Sequence, residues 1–394
     1  MEVSKIAVIG AGTMGHGIAE ICAISGFEVS LNDVAENILN SAIEKIKWSL
    51  EKLYEKKQIK EEPSQVLARI KTSTSLDEVL KDADFMIEAA IEDLNVKRDI
   101  FKKADMLAPS QAILASNTSS LPITEIAEST QRKSKVIGTH FFNPPVLMKL
   151  VEIVRGKYTD DATLNVSIQL CKKLEKEIVV VNKDIPGFVV NRILARVVDT
   201  ACMLVYNGVA DVEDVDAVLR YRLNFPMGVF EVADYSGLDV FYFIHGIMTS
   251  RGFKARLCPI LEEKFKNKEY GVKTGKGFYT YPGPGKYQKP QLEKERATKL
   301  DPSIILAHAI NEAAYLLREG IATKSDIDKA VMLGLGYPKG IFRFADEFGI
   351  DRVVAALEKL SEITGEEIEI DPLLSKMVKE NKLGVKTNEG FYRY

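Results

Sequence analysis

One histidine stands where its side chain could transfer a proton. His140 follows the apolar run Val136-Ile137-Gly138 and precedes Phe141-Phe142-Asn143-Pro144-Pro145. This pattern places it at the carboxyl end of a β-strand, where open α/β sheets bind their ligands. An imidazole gains and loses protons near neutral pH, and Glu152 is available to orient the ring and stabilise its protonated form. We therefore predict that His140 and Glu152 form an acid/base pair acting on a hydroxyl group.

The other histidines and the cysteines show no pattern of metal ligands or of a disulfide. His16 lies just past a glycine-rich turn, whereas His245 and His308 fall in helical patterns, where a hydrogen-bonded structural histidine is the simpler interpretation. The cysteines are far apart and form no C-x-x-C pair, so we expect small buried side chains rather than metal ligands or a disulfide. They are Cys22, Cys171, Cys202 and Cys258.

The segment Gly10–Gly15 has the G-x-G-x-x-G spacing of dinucleotide-binding turns, and it follows an apolar strand and opens a helical pattern. The first glycine allows the tight turn, the second lets the backbone approach the pyrophosphate, and the third allows close packing of helix on strand. About 20 residues further on, Asp33 ends a second strand, where an acid binds ribose hydroxyls. An acid there also repels a 2′-phosphate, and no arginine follows, so the pattern predicts NAD rather than NADP. The predicted cofactor-binding residues are Gly10, Gly12, Thr13, Met14, Gly15 and Asp33.

The elements that must position these residues alternate between β-rich and helical runs as far as about residue 184. An amphipathic stretch at Asn37–Tyr54 follows the second of the β-rich runs. Such alternation is typical of an α/β protein with a parallel, doubly wound sheet of the Rossmann type. The predicted strands are Ile6–Ile9, Glu28–Leu31, Phe85–Glu88, Ala112–Ala115, Val136–Gly138 and Ile178–Val181.

After Asp184-Ile185-Pro186-Gly187 the pattern becomes helical, with apolar residues at three- and four-residue spacing from Phe188 to Val205. This half contains an internal repeat, because Ala210–Asp216 resembles Ala322–Asp328 at an offset of 112 residues. Two further pairs of segments share that offset, and Gly271–Tyr279 recurs one residue later at Gly384–Tyr392. The further pairs are Phe225–Gly228 with Tyr337–Gly340, and Gly237–Asp239 with Gly349–Asp351.

The repeat predicts two homologous all-α domains after the sheet domain, joined by the linker Pro282-Gly283-Pro284-Gly285. The predicted domains are residues 1–184, an NAD-binding Rossmann domain, residues 185–283, a first helical copy, and residues 284–394, a second and degenerate copy.

Five motifs in this order resemble the signature of the 3-hydroxyacyl-CoA dehydrogenase family, over essentially the whole chain. They are Gly10–Gly15, Ser116–Ser120, His140–Pro144, Met148–Glu152 and Pro186–Arg192. The duplicated C-terminal domain is similar to the dehydrogenase part of multifunctional fatty-acid oxidation enzymes. No hydratase region accompanies it, so we expect no hydratase activity.

The resemblance implies a role for each matching residue. His140 would be the acid/base and Glu152 its partner, while Ser119 and Asn191 would hydrogen-bond the substrate's oxygens. Cofactor contacts are implied for Glu92, Lys97, Ser119, Asn143 and Lys273, and coenzyme A contacts for Ser49 and Lys56.

Structural alternatives exist for several of these residues. Ser119 could cap a helix opened by Pro122, Asn191 could be a core polar group, and Glu152 could be a surface acid. A cluster of lysines follows the second predicted strand and comprises Lys52, Lys56, Lys57 and Lys60. Their positive charge suits the phosphates of coenzyme A, although a solvated helix face is the alternative for each lysine.

The second copy departs from the family pattern, since Ser303 stands where the first copy has Asn191 and no Pro-Gly-Phe precedes it. We expect this copy to be structural and to pack on the first as an internal partner. It would then replace the second subunit of a dimer, which predicts a monomer or a weak homodimer.

Taken together, these features predict NAD-dependent interconversion of 3-hydroxyacyl-CoA and 3-oxoacyl-CoA, a CH–OH oxidoreductase activity of fatty-acid β-oxidation or 3-hydroxybutyryl-CoA metabolism. A related dehydrogenase of a free hydroxy acid, such as L-gulonate, is the alternative enzyme, and a catalytically idle NAD-binding protein is the alternative of another class.

Composition excludes several partners. A net charge of −3 and a pI near 6.0 give no basic surface for nucleic acid. The apolar stretch from Phe188 to Val205 contains Arg192, Arg196 and Asp199, which argues against a membrane span. An apolar strand begins at Ile6, leaving no room for a targeting segment, so we expect a cytoplasmic protein.

Overall fold

The computed structural model describes residues 2–394, and the chain forms two compact units, Met1–Phe188 and Val189–Tyr394. An eight-stranded sheet forms the centre of the first unit. Its strands are β1 Lys5–Ile9, β2 Glu28–Asn32, β3 Ile70–Ser73, β4 Phe85–Glu88, β5 Ile113–Ser116, β6 Val136–Phe141, β7 Leu150–Val154 and β8 Glu177–Val181. Their order across the sheet is β3-β2-β1-β4-β5-β6-β7-β8.

The predicted doubly wound sheet is confirmed, with one change of direction. Strands β1 to β6 run parallel, so their carboxyl ends meet at one edge, whereas β7 is antiparallel to β6 and β8 follows β7 in parallel. The flanking helices are α1 Thr13–Ile24, α2 Glu36–Glu55, α3 Pro63–Leu67, α4 Leu76–Leu80, α5 Leu94–Leu107, α6 Ile123–Ala127 and α7 Asp161–Lys173, with a 3₁₀ turn at Lys133–Lys135.

Two strands were not predicted from the sequence, and β6 ends three residues later than predicted, whereas the other predicted strands agree to within one residue at each end. The edge strand β3 has the mostly polar sequence Ile-Lys-Thr-Ser, and β7, Leu-Val-Glu-Ile-Val, carries a charged residue in the middle of its apolar run. Antiparallel pairing with β7 extends β6 to Phe141, so His140 lies within the strand rather than after it. Both β6 and β7 are buried along their whole length, which keeps that pairing dry.

The second unit is helical, as the apolar spacing predicted, and its strand content among residues 189–394 is confined to isolated bridges. Its helices are α8 Val190–Tyr206, α9 Val212–Ala217, α10 Val229–Ser236, α11 Leu238–Ser250, α12 Pro259–Lys266, α13 Pro302–Arg318, α14 Lys324–Gly334, α15 Ile341–Phe348, α16 Ile350–Thr364 and α17 Pro372–Lys379. A π-helix spans Val218–Arg222, and 3₁₀ turns span Val272–Thr274, Lys294–Thr298 and Val385–Thr387. No helix among residues 2–394 is long and apolar enough to cross a bilayer.

The two repeated segments fold in the same way, down to individual hydrogen bonds. Asp234 accepts from the backbone N–H of Phe278 and of Tyr279, each at 2.8 Å. Asp346 accepts from the N–H groups of Phe391 and Tyr392 at the same two distances. Each copy therefore fastens its Gly-Phe-Tyr motif to its own aspartate, which explains why that motif recurs in the sequence. The exact limits of the two copies stay a prediction.

The expectation of four unpaired cysteines is wrong for two of them. Cys202 on α8 and Cys258, which precedes α12, form a disulfide although they are 56 residues apart. The fold brings their Cα atoms to 6.1 Å, a separation that spacing along the chain does not reveal. Cys22 and Cys171 are buried and unpaired, as expected.

Candidate active site

The turn between β1 and α1 adopts a geometry that requires glycine at two positions. Gly10 has φ +98°, and a Cβ on it would lie 2.6 Å from the carbonyl oxygen of Ala89. A Cβ on Gly15 would lie 1.7 Å from the carbonyl oxygen of Gly10, which no packing can accommodate. A Cβ on Gly12 would meet nothing within 4 Å. The turn is therefore packed against the sheet on one side and accessible on the other.

The first turn of α1, where Thr13 and Met14 lie, offers N–H donors without a competing acid. Gly12 is the N-cap and supplies no side-chain acceptor, and the first turn holds no acidic residue. The helix dipole adds positive potential here, so this end of α1 fits a pyrophosphate group. Asp33 follows β2 and accepts from the N–H of Ala11 at 2.9 Å, which holds its half-buried carboxylate beside the turn. These residues fit a dinucleotide cofactor.

His140 and Glu152 are direct cross-strand partners on β6 and β7. Nδ1 of His140 lies 2.7 Å from Oε2 of Glu152, and the two side chains are 8% and 0% exposed. The rings of Phe142 and Phe188 lie 4.4 Å and 5.9 Å from the imidazole. Because the carboxylate occupies Nδ1, Nε2 is the nitrogen available to exchange a proton with a substrate. The predicted pairing of His140 with Glu152 is present, and the alternative of a surface acid is excluded.

The segment after His140 lies against helix α1. A Cβ on Gly17 would be 2.9 Å from Cδ of Pro145, so this glycine lets the segment approach the helix that carries the glycine-rich turn. Lys176 fastens the same segment from behind, donating to the carbonyl oxygens of Pro145 at 2.6 Å and Met148 at 2.8 Å. The acid/base pair and the glycine-rich turn thus belong to one edge of the sheet. Asn143, in the same segment, is exposed.

Glu92 organises the segment that contains Ser119. Its Oε1 accepts from the hydroxyl of Thr118 at 2.6 Å and of Ser120 at 3.0 Å, and from the N–H of Ser119 at 3.1 Å. Burial alone would raise the pKa of Glu92, but the Lys97 ammonium and these donors outweigh it and hold the pKa below its usual value. The helix Ile123–Ala127 has Pro122 at its N-cap and no side-chain cap, so Ser119 is not its capping residue. The position of Ser119 is set by the ionised Glu92.

A buried ion pair behind Glu92 was missed by the sequence reasoning. Glu88, at the end of β4, accepts from Lys97 Nζ at 2.7 Å, and the two side chains are 0% and 1% exposed. Its carboxylate also accepts from Ser116 Oγ at 2.6 Å and from the N–H of Ala90 at 2.7 Å. An acid that ends the apolar run Phe85-Met86-Ile87 was the available signal, since a buried charge must be paired.

The predicted coenzyme A residues lie on or next to α2. Ser49 is half-buried and hydrogen-bonds the buried Glu20 of α1, and Lys56 is exposed at the end of the helix. Lys52, one turn before it, forms a surface ion pair with Glu55 at 2.7 Å. The cluster is therefore a charged, accessible helix end, consistent with either interpretation made from the sequence.

Two predicted site residues belong to the second unit. Asn191 is the second residue of α8. Lys273 forms an ion pair with Asp239, and Lys386 forms the corresponding pair with Asp351 in the second copy. Because both copies keep this pair, folding alone accounts for Lys273, and its contact with the cofactor stays a prediction.

A glycine-rich turn opening a parallel sheet, with a histidine–glutamate pair at the same edge, defines a dehydrogenase that binds a nicotinamide dinucleotide. Among residues 2–394 no group of three or more His, Cys, Asp or Glu side chains is arranged to hold a metal ion.

The chain belongs to the 3-hydroxyacyl-CoA dehydrogenase family. The family model for the NAD-binding domain matches residues 5–185, and that for the C-terminal domain matches residues 187–281 and 303–394.

Individual relatives agree with this assignment. The 3-hydroxybutyryl-CoA dehydrogenase of Bradyrhizobium diazoefficiens is 42% identical over 284 residues, covering 71% of this chain and 96% of its own. The fatty acid oxidation complex subunit alpha of Idiomarina loihiensis is 32% identical, covering 97% of this chain and 55% of its own. The crystal structure of 3-hydroxybutyryl-CoA dehydrogenase from Escherichia coli K12 matches with a TM-score of 0.87 at 28% identity, covering 96% of this chain and 99% of its own.

Proposed function

We propose that this protein is an NAD-dependent (S)-3-hydroxyacyl-CoA dehydrogenase that interconverts 3-hydroxyacyl-CoA and 3-oxoacyl-CoA in fatty-acid oxidation or 3-hydroxybutyryl-CoA metabolism. The observation that carries this proposal is the buried 2.7 Å contact between His140 Nδ1 and Glu152 at the edge of the sheet that also holds the glycine-rich turn. Family membership supplies the substrate class.

In the oxidation direction, His140 Nε2 accepts the proton of the substrate's 3-hydroxyl group, and in the reverse direction it returns that proton to the ketone oxygen. NAD, when bound, supplies the hydride acceptor. Glu152 holds the imidazole in one orientation and stabilises its charge when the ring is doubly protonated. The buried surroundings of the pair keep water from competing for the proton.

Other residues position the reactants in this proposal. Ser119 and Asn191 hydrogen-bond the oxygens near the reacting carbon, and Glu92 fixes the segment of Ser119. Gly10–Gly15 and Asp33 bind the dinucleotide, and the Asp33 carboxylate disfavours a 2′-phosphate, so we propose NAD over NADP. Ser49 and Lys56 contact coenzyme A, and Glu92, Asn143 and Lys273 are further cofactor contacts. Lys97, predicted as a cofactor contact, is 1% exposed and paired with Glu88, so it supports the site through Glu92.

The thioester is tested by comparing acetoacetyl-CoA with free acetoacetate as oxidants of NADH. We expect rapid oxidation only with the thioester. Preference for the free acid would instead support a hydroxy-acid dehydrogenase and overturn the proposal.

The His140→Gln variant tests the chemical step. Because glutamine cannot exchange the proton, we expect kcat to fall roughly 10²–10⁴-fold while the Kd of NADH changes little. Stopped-flow single turnovers and a fluorescence titration of NADH measure the two quantities. Near-normal turnover in this variant would refute the mechanism.

A further inference from the structure

The linker between the two helical copies extends beyond the predicted Pro282–Gly285 to Leu292, and residues 286–292 lie along the surface of the first copy without helix or strand. Arg220 donates to the carbonyl oxygen of Pro290 at 2.9 Å, and the Tyr221 hydroxyl donates to that of Leu292 at 2.9 Å. Lys289 of the linker in turn donates to the carbonyl oxygen of Pro226 at 2.8 Å. This part of the first copy is therefore a surface that binds an extended peptide.

A tyrosine anchors the start of that segment. Tyr287 donates its hydroxyl to Glu231, and its ring meets Tyr235 edge-on at 5.3 Å between centroids. Five positions thus contact the linker: 220, 221, 226, 231 and 235.

The same five positions of the second copy line an open groove of about 610 Å³. At the repeat offset of 112 residues they are Met332, Leu333, Pro338, Arg343 and Glu347. The groove is kept in shape by the same internal bonds as its counterpart. Asp328 accepts from the N–H of Phe342 at 2.9 Å and from the hydroxyl of Tyr392 at 2.7 Å, just as Asp216 does for Phe230 and Tyr279.

The chemistry of the groove differs from that of its counterpart in a defined direction. Met332, 42% exposed, and Leu333 replace the two hydrogen-bond donors, which favours an apolar side chain in the bound segment. Arg343 replaces Glu231, so a donor stands where the first copy has an acceptor. Lys329 and Lys339 also line the groove, but each faces an acid: Lys329 lies 3.7 Å from Asp326 and Lys339 2.7 Å from Glu347, which leaves Arg343 as the donor for a carboxylate.

We propose that the groove of the second copy binds an extended peptide segment that carries an apolar side chain and a carboxylate. The carboxylate pairs with Arg343, and the apolar side chain covers Met332 and Leu333. The peptide runs over the helices as the linker does in the first copy. This binding is independent of the chemistry of the first unit.

The chain offers a direct test, because Tyr394 of the second copy makes the same hydrogen bond as Tyr281 of the first. Each tyrosine hydroxyl donates to the aspartate of its own copy, Asp346 or Asp234, at 3.0 Å, and the linker begins immediately after Tyr281. An extension Pro-Gly-Pro-Gly-Lys-Glu-Gln-Lys-Pro-Gln-Leu added after Tyr394 therefore starts at the equivalent point. It repeats the linker with Glu in place of Tyr287, and tethering gives it a high effective concentration at the groove.

The readout is the rate at which a maleimide labels a Met332→Cys thiol in the full-length protein. We expect the extension to slow labelling at least 10-fold relative to the unextended chain. An extension with Lys in place of that Glu should have little effect, and Arg343→Glu should reverse the preference between the two extensions. Equal labelling rates in all of these proteins would overturn the proposal.

A second measurement avoids the cysteine. Hydrogen exchange of residues 329–343 in the chain with Met332 retained should slow with the Glu extension and not with the Lys extension. Unchanged exchange with both extensions would also overturn the proposal.

Discussion

At the scale of single residues, the site rests on charges that are buried and paired. Glu152 contacts the imidazole of His140, so its contribution is to hold and stabilise that ring. Glu88 and Lys97 form a second buried pair, which in turn supports Glu92 and the segment of Ser119. The proposed chemistry therefore depends on acids that act through their neighbours.

Replacing Glu152 with glutamine tests this dependence. The amide of the Glu152→Gln variant can still hydrogen-bond Nδ1, but it cannot stabilise the charged ring, so we expect kcat to fall about 10²-fold with KM and NADH affinity nearly unchanged. Steady-state kinetics measure the effect, and Glu128→Gln on the exposed surface is the matched control. A variant with unaltered kcat would show that the carboxylate is dispensable.

The sequence predicted part of this residue network. The pairing of His140 with Glu152 was predictable because a proton-transferring imidazole needs a group that orients the ring and stabilises its charge. Glu88 was missed because its role appears only when β5 and α5 bring Ser116 and Lys97 to the end of β4. Contacts of that kind depend on tertiary packing, which periodicity does not describe.

At the scale of elements, helix α1 buries an acid that has no ionic partner. Glu20 is 1% exposed, one of its oxygens has no hydrogen-bond partner within residues 2–394, and burial raises its pKa to about 7 despite a hydrogen bond from Ser49. The folded state therefore keeps a proton on Glu20 that the unfolded chain releases near pH 4.5. Its contribution to stability is full below pH 4.5 and is lost as pH rises to about 7.

The Glu20→Gln variant removes this pH dependence. We expect its free energy of unfolding relative to the parent to increase by about 3 kcal/mol between pH 4.5 and pH 8. Urea unfolding at the two pH values gives the difference, with Glu44→Gln on the exposed face of α2 as control. A difference that does not change with pH would contradict the assignment.

The disulfide joins α8 to the start of α12 within the second unit. Cross-linking residues 56 apart restricts the unfolded chain, so we expect reduction to lower the free energy of unfolding by about 4 kcal/mol. Urea unfolding with and without reductant measures this, and Cys258→Ser should be insensitive to reductant. Four reactive thiols in the unfolded, unreduced protein would contradict the presence of the Cys202–Cys258 disulfide.

Most elements were predictable because apolar residues recur at strand or helix spacing. Two strands are exceptions. The edge strand β3 is short and mostly polar, and β7 contains Glu152, whose charge interrupts the apolar pattern of a strand. The cysteine pair was invisible for a related reason, since only the packing of α8 against α12 brings its members together.

At the scale of the whole molecule, the second helical copy packs on the first through α8 and α13. Arg192 and Arg196 of α8 both bond Glu312 of α13, at 2.6 Å and 3.0 Å, and all three side chains are nearly buried. The sequence predicted that the second copy packs on the first. It did not predict the ion pairs, because Arg192 and Arg196 have the charge of solvent-facing residues and Glu312 is more than 100 residues away in the chain.

Replacing Glu312 with alanine leaves two buried arginines without their shared carboxylate. We expect the free energy of unfolding to fall by about 3 kcal/mol, measured by urea titration against the exposed control Glu358→Ala.

By sedimentation, the parent protein should be a monomer or a weak dimer, since the second copy covers α8. An obligate dimer, or an undiminished stability in Glu312→Ala, would count against this arrangement.

The position of Glu152 on β7, opposite His140, has a consequence for how this enzyme can be altered. Backbone pairing, and not the loop 142–149, fixes the distance between imidazole and carboxylate. Extra residues inserted in that loop would reshape the border of the site without parting the two groups. A single residue inserted within Leu150–Val154 would turn the carboxylate to the other face of the sheet, and the enzyme would lose its activity.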